Sequence, residues 1–197
     1  MSLGRRLLMR AFGRPQGWLG RVGGVVMARM NTDRSAWVTD LLDIRPTDGI
    51  LEVGFGPGVV IAQLLQLVPD GSVAGVDPSP EMLAQAQRRT ARAAAAVDLP
   101  QVGRVDLREG TAASLPFADG RFDKALAINS MQVWPDAIGG LREIARVLKR
   151  DGTVAVGFTP QSGQPRAGIT DTLIAAGFIE ARLVETNRGF CALARKP

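Results

Sequence analysis

Short strand-like runs alternate with longer helix-like ones along most of this chain, and that alternation restricts its fold more than any other feature. The strand signals are "ILEV" (50–53), "SVAGVD" (72–77), "RVDLREG" (104–110), "RFDKALAIN" (121–129) and "TVAVGF" (153–158). Between them fall the helix signals "PGVVIAQLLQLV" (57–68), "SPEMLAQAQRRTARAAAA" (79–96, with Ser79 as N-cap) and "DAIGGLREIARVLKR" (136–150). Neighbouring parallel strands need long crossovers, whereas antiparallel ones can close through a tight turn. Strands regularly separated by helices therefore predict an α/β fold, a doubly wound parallel sheet. A last helix, "GITDTLIAAG" (168–177), precedes "FIEARLVE" (178–185) and "GFCALARK" (189–196), which are close enough to form a hairpin. The expectation is a seven-stranded, Rossmann-like sheet, mostly parallel, with a terminal antiparallel strand. Before it, Ala36, Trp37, Leu41, Leu42 and Ile44 recur at helical spacing, ended by Pro46.

At 197 residues the chain fits one domain, read as 1–197 with an N-terminal arm (1–32) and a core (33–197). Within the arm, residues 17–30 have a helix-like pattern that Gly23 and Gly24 weaken. The apolar share is 46 %, but no run of about 18 uncharged apolar residues would span a membrane. Gly13, Arg14, Pro15 and Gly17 break up any leader-like apolar stretch. One cysteine, Cys191, cannot form an internal disulfide or a cysteine metal cluster, and a reducing, cytoplasmic setting is expected. There is no histidine and no tyrosine, so the commonest metal ligand and the commonest general base are both absent, and no metal is expected. The arm holds Arg5, Arg6, Arg10, Arg14, Arg21 and Arg29 and no acid, leaving 18 basic against 19 acidic residues elsewhere. Such an arm is either a solvated segment or a weak contact for an anionic substrate, lipid surface or nucleic acid.

The loop after the first strand, "VGFGPG", carries Gly54, Gly56 and Gly58. In a doubly wound sheet, ligands bind beyond the C-terminal strand ends where strand order switches. Glycines there permit a tight turn and a ligand against bare main chain. The spacing departs from the dinucleotide pattern G-x-G-x-x-G, since Val59 stands where its last glycine would fall. Asp77 closes the second strand at the separation expected of an acid that accepts hydrogen bonds from ribose hydroxyls.

Four stretches, "LEVGFGPG", "GVDPSPEML", "EGTAASLPFADGRFDKALA" and "LREIARVLKRDGTVAV", together resemble consecutive motifs of class I S-adenosylmethionine-dependent methyltransferases. The closest likeness is to the small-molecule branch that includes the ubiquinone/menaquinone biosynthesis enzymes. The resemblance covers about residues 45–158 and implies S-adenosylmethionine (SAM) as cofactor. It implies that Glu52 and Gly54 lie beside the methionine moiety, with Glu52 orienting the loop and reaching the amino group, and that Gly56 and Gly58 allow close approach. Asp77 would bind the ribose hydroxyls, Pro78 and Met82 flank the adenine, and Thr111 and Ala112 lie at its polar edge. Asn129 and Ser130 would face the methyl group and the acceptor. The family often has an acid where Thr111 stands; here a hydroxyl or the Ala112 backbone would serve.

The acceptor is less constrained. "NSMQVWPD" after the fourth strand lacks the Asn/Asp-Pro-Pro-aromatic motif of base-flipping amino methyltransferases. Methyl transfer needs alignment and a dry site more than acid–base help, so direct in-line displacement is expected. Asn129 and Asp136 are the candidate catalytic groups, with Met131 and Trp134 as candidate pocket walls. Three function classes stand: a methyltransferase acting on a small-molecule acceptor, a SAM-binding protein without turnover, and an RNA methyltransferase recruited by the basic arm.

Overall fold

The computed structural model describes residues 37–95 and 104–197. The elements alternate as the sequence predicts: β1 (Gly49–Val53), α1 (Val59–Leu67), β2 (Ser72–Asp77), α2 (Pro80–Ala95), β3 (Val105–Glu109), β4 (Phe122–Ile128), α3 (Ala137–Val147), β5 (Leu148–Phe158), α4 (Ile169–Ala175), β6 (Ile179–Thr186) and β7 (Gly189–Arg195). They form a single seven-stranded sheet in the order β3-β2-β1-β4-β5-β7-β6. The pairs from β3 to β5 are parallel, and β7 runs antiparallel to both β5 and β6. The last strand of the chain is thus interior to the sheet. This explains why "GFCALAR" is buried almost throughout while β6, at the edge, has only exposed and half-buried residues.

Residue alternation along β1 shows the two layers. Leu51 and Val53 face the core formed with Leu141, Ile144 and Val147 of α3 and Ile169 and Leu173 of α4. Ile50 faces the opposite core, with Ile61, Leu64 and Leu65 of α1, Ala86 of α2, and Trp37, Val38 and Leu42. The helix before β1 ends earlier than its spacing suggests. It covers 37–40 among the described residues and stops well before Pro46, with Asp43 at positive φ. Val38 fills the space above Gly157 of β5, where a Cβ would lie 2.6 Å from it.

One boundary departs further. The helical pattern of residues 136–150 runs to Arg150, but α3 ends at Val147 and β5 begins at Leu148. Leu148 takes an extended backbone and pairs with Phe122, both fully buried. The next pairing is Lys124 with Thr153, so residues 149–152 bulge out, with Asp151 at positive φ. Burial of the Leu148 side chain in the sheet outweighs the helical propensity of "LKR". Among the described residues no helix is long and apolar enough to cross a membrane. The arginine-rich arm, residues 1–32, lies outside the described residues.

Candidate functional site

The chain leaves β1 outward to β2 and β3, then returns to β4 on the other side of β1. Such a reversal opens a crevice between the two strand tips. A cleft of about 210 Å³ lies there, lined by the tips of β1, β2 and β4 and the loops after β3 and β4. Glu52, Gly54, Gly56, Asp77, Pro78, Met82, Thr111, Ala112, Asn129 and Asp136 all line it. Gly58 does not, although the resemblance placed it there.

The three glycines, all at positive φ, do different work. A Cβ on Gly54 would lie 2.2 Å from Ser130 Oγ, so the β4 tip occupies that space. A Cβ on Gly58 would lie 2.6 Å from the Ala86 Cβ, so this glycine lets α1 and α2 approach. Around Gly56 nothing lies within 4 Å of a Cβ. Of the three, only Gly56 leaves its Cβ direction open to a ligand.

Asp77 holds this loop in place. Its Oδ2 accepts from the Gly56 N–H at 2.8 Å and its Oδ1 from the Ser79 N–H at 3.0 Å. Ser79 caps α2, its Oγ accepting from the Met82 N–H at 3.3 Å, as its position predicts. Each carboxylate oxygen keeps a second lone pair for a ligand. Burial pushes the Asp77 carboxyl above its usual range, against the pull of these two N–H donors. Arg89 of α2 also grips the loop, its Nε donating to the Pro57 carbonyl at 3.0 Å. No local motif signals that contact, because it depends on how α2 packs.

Glu52 is 3 % exposed, and its Oε2 has no hydrogen-bond partner. Burial and the neighbouring Asp77 raise its pKa to about 8, while the Ile61 backbone N–H, in the first turn of α1, pulls it down. It is a buried acid with a free lone pair at the wall of the cleft.

Asn129 sits at φ +50°, a conformation Asn tolerates better than most residues. Its Oδ1 accepts from the Thr159 N–H at 2.9 Å and the Thr159 hydroxyl at 3.3 Å, binding the β4 tip to the end of β5. That oxygen is committed to the scaffold. Asp136 is exposed at the rim and caps α3, its Oδ1 accepting from the Gly139 N–H at 2.9 Å. Trp134 Nε1 donates to Ser130 Oγ at 2.9 Å, fixing the indole as a wall. Gly140 makes room for it, since a Cβ there would lie 2.7 Å from the ring. Val133 and Pro135, which the sequence did not single out, complete an apolar end beside Trp134. Met82, fully buried, and Ala112 also line the cleft, Ala112 packing beside Trp134 over Gly140, and Thr111 is exposed. Among the described residues no group of three or more His, Cys, Asp or Glu could hold a metal.

Comparisons with known proteins agree with this arrangement. A family profile described as a methyltransferase domain matches residues 50–152. The uncharacterized methyltransferase YdaC of Bacillus subtilis is 30 % identical over 188 residues, 89 % of this chain and 98 % of that protein. The ubiquinone/menaquinone biosynthesis C-methyltransferase UbiE of Citrifermentans bemidjiense is 32 % identical over 108 residues, 54 % of this chain and 43 % of that one. A SAM-dependent methyltransferase from Aquifex aeolicus has the same fold, with a TM-score of 0.71 at 19 % identity over 84 % of this chain and 90 % of that one. The chain belongs to the class I S-adenosylmethionine-dependent methyltransferases.

Proposed function

We propose that this methyltransferase transfers its methyl group to a small, largely apolar acceptor by direct in-line displacement. The apolar end of the cleft, formed by Val133, Trp134 and Pro135, is the observation that carries this reading. The name of one relative supports it: UbiE is a C-methyltransferase of ubiquinone/menaquinone biosynthesis.

The residues present fit the cofactor. The open space over Gly56 takes a ligand against main chain, Asp77 keeps lone pairs for ribose hydroxyls, and the orphaned Glu52 Oε2 suits a cationic group. Pro78, Met82 and Ala112 give an apolar bed for the adenine, with Thr111 and the Ala112 backbone at its edge. When bound, the cofactor supplies an electrophilic methyl on a positively charged sulfur. The protein aligns and shields. Gly54 and Gly58 shape the loop, Asn129 sets the β4 tip by its bonds to Thr159, and Ser130 holds the Trp134 wall. An acceptor that arrives protonated has one carboxylate near its end of the cleft, Asp136 at the rim. The arginine-rich arm, 1–32, is proposed to close over the rim and contact the acceptor, with its charge available for an anionic surface.

The test is incubation of the protein and methyl-labelled SAM with fractionated cell extract. Label in a small organic product, with inversion when a chiral methyl is used, is the expected result. Label in RNA, retention of configuration, or SAM binding without transfer would overturn the reading.

A further inference from the structure

Of the three carboxyl groups lining the cleft, Glu52 and Asp77 are buried, and they are not equivalent. Asp77 satisfies both oxygens with backbone N–H donors. Glu52 is almost fully buried and leaves Oε2 without any partner. No described cation offsets it. β2 presents Asp77, another acid, and β4 pairs the apolar Leu126 against Glu52. Helix α1, "VVIAQLLQL", has no charged residue. The loop after β3 lines the cleft with Gly110, Thr111, Ala112 and Ala113, and the rim adds only Asp136. Arg89 of α2 is directed to the Pro57 carbonyl, and Lys124 lies toward the other end of β4, donating to the Thr153 hydroxyl. In the segment before β1, Asp40 is exposed.

An isolated buried carboxylate is too costly to persist, so such a group holds its proton until a counter-charge arrives. We propose that Glu52 is protonated in the ligand-free protein and loses that proton when a cationic group of the cofactor enters the cleft. The Oε2–H bond breaks, the proton passes to solvent, and the carboxylate faces the incoming cation. Cofactor binding and proton release are then one equilibrium. Burial and Asp77, which raise the Glu52 pKa to about 8, act in the same direction. The inference rests on the reading that places the cofactor's charged end beside Glu52.

Calorimetric titration of the whole chain with SAM, in two buffers of different ionisation enthalpy at pH 6.5, counts the protons. At that pH the cofactor's own amino group, titrating at about 7.7–8.0, stays protonated. Release of about one proton per site is expected, with Kd falling about tenfold per pH unit from pH 5.5 to 7. A parallel titration with the demethylated product, which keeps the ammonium but lacks the sulfonium, identifies the cation. Release with both ligands assigns it to the ammonium, and release with SAM alone to the sulfonium. Glu52→Gln is expected to bind SAM without release and with a flat pH dependence. SAM binding by the native chain with no proton released, or release that persists in Glu52→Gln, overturns the inference. Absence of SAM binding would instead overturn the cofactor placement.

Discussion

Replacing each loop glycine by alanine should produce two kinds of damage. All three positions lie at positive φ, where a non-glycine residue costs about 1–2 kcal/mol. For Gly56→Ala that is the whole stability cost, because the new Cβ meets nothing within 4 Å. For Gly54→Ala and Gly58→Ala, contacts of 2.2 Å with Ser130 Oγ and 2.6 Å with the Ala86 Cβ add overpacking. Overpacking typically costs about 1–3 kcal/mol, giving totals of about 2–5 kcal/mol. A chain of this size loses about 2–4 °C in Tm per kcal/mol. Gly56→Ala should therefore melt about 2–8 °C below the parent, and the other two about 4–20 °C below. Affinity reverses the order. The Gly56 methyl intrudes where the ligand must lie, so SAM binding should weaken about 5- to 150-fold, the equivalent of about 1–3 kcal/mol. Gly58→Ala, tested well below its own Tm, should bind far closer to normally. Differential scanning calorimetry and SAM titration on the three variants decide the matter. Unchanged SAM affinity in Gly56→Ala, or parental Tm values for Gly54→Ala and Gly58→Ala, would refute the division of labour.

Asp77→Ala should weaken SAM binding by about 1.5–3 kcal/mol by titration, the range for hydrogen bonds to a charged group, and also free the Gly56 N–H that Asp77 now accepts from. Stability of the ligand-free protein should fall as pH rises from about 4.5 to about 8, because folding raises the Glu52 pKa and the folded state binds its proton more tightly; urea midpoints across that range check the sign, and Glu52→Gln should flatten the slope. Burial pushes the Cys191 thiol up to about 12, so it supplies no thiolate. Cys191→Ala should keep turnover by the folded protein, measured as release of demethylated cofactor, and alkylating reagents should leave the native thiol unmodified.

The sheet was legible because its signals are local. β2 occupies the residues its pattern predicts, since a Pro-Asp-Gly turn bounds one end and a capped helix follows the other. The cleft was also legible, as a glycine loop and an acid at two strand tips. Roles that depend on distant partners were not. Gly58 looks like a ligand glycine until Ala86 is seen filling its space, and Gly54, which does line the cleft, has a second partner in Ser130. Asn129 has a sequence position suited to the acceptor, but its Oδ1 belongs to Thr159 on β5. The end of α3 was misplaced because nothing around Leu148 in the chain reveals that Phe122 is waiting for it in the sheet.

The fit of Ser130 into the space above Gly54 has a mechanical corollary. It interlocks the loop after β1 with the tip of β4, and the Trp134 indole is fastened to the same serine. The floor of the cleft therefore cannot yawn open along the seam between the two halves of the sheet. Traffic in and out must pass over the rim, where Val133, Pro135 and Asp136 are exposed. Product escape then crosses that upper border, while Ser130 keeps the loop after β1, the β4 tip and the Trp134 indole joined.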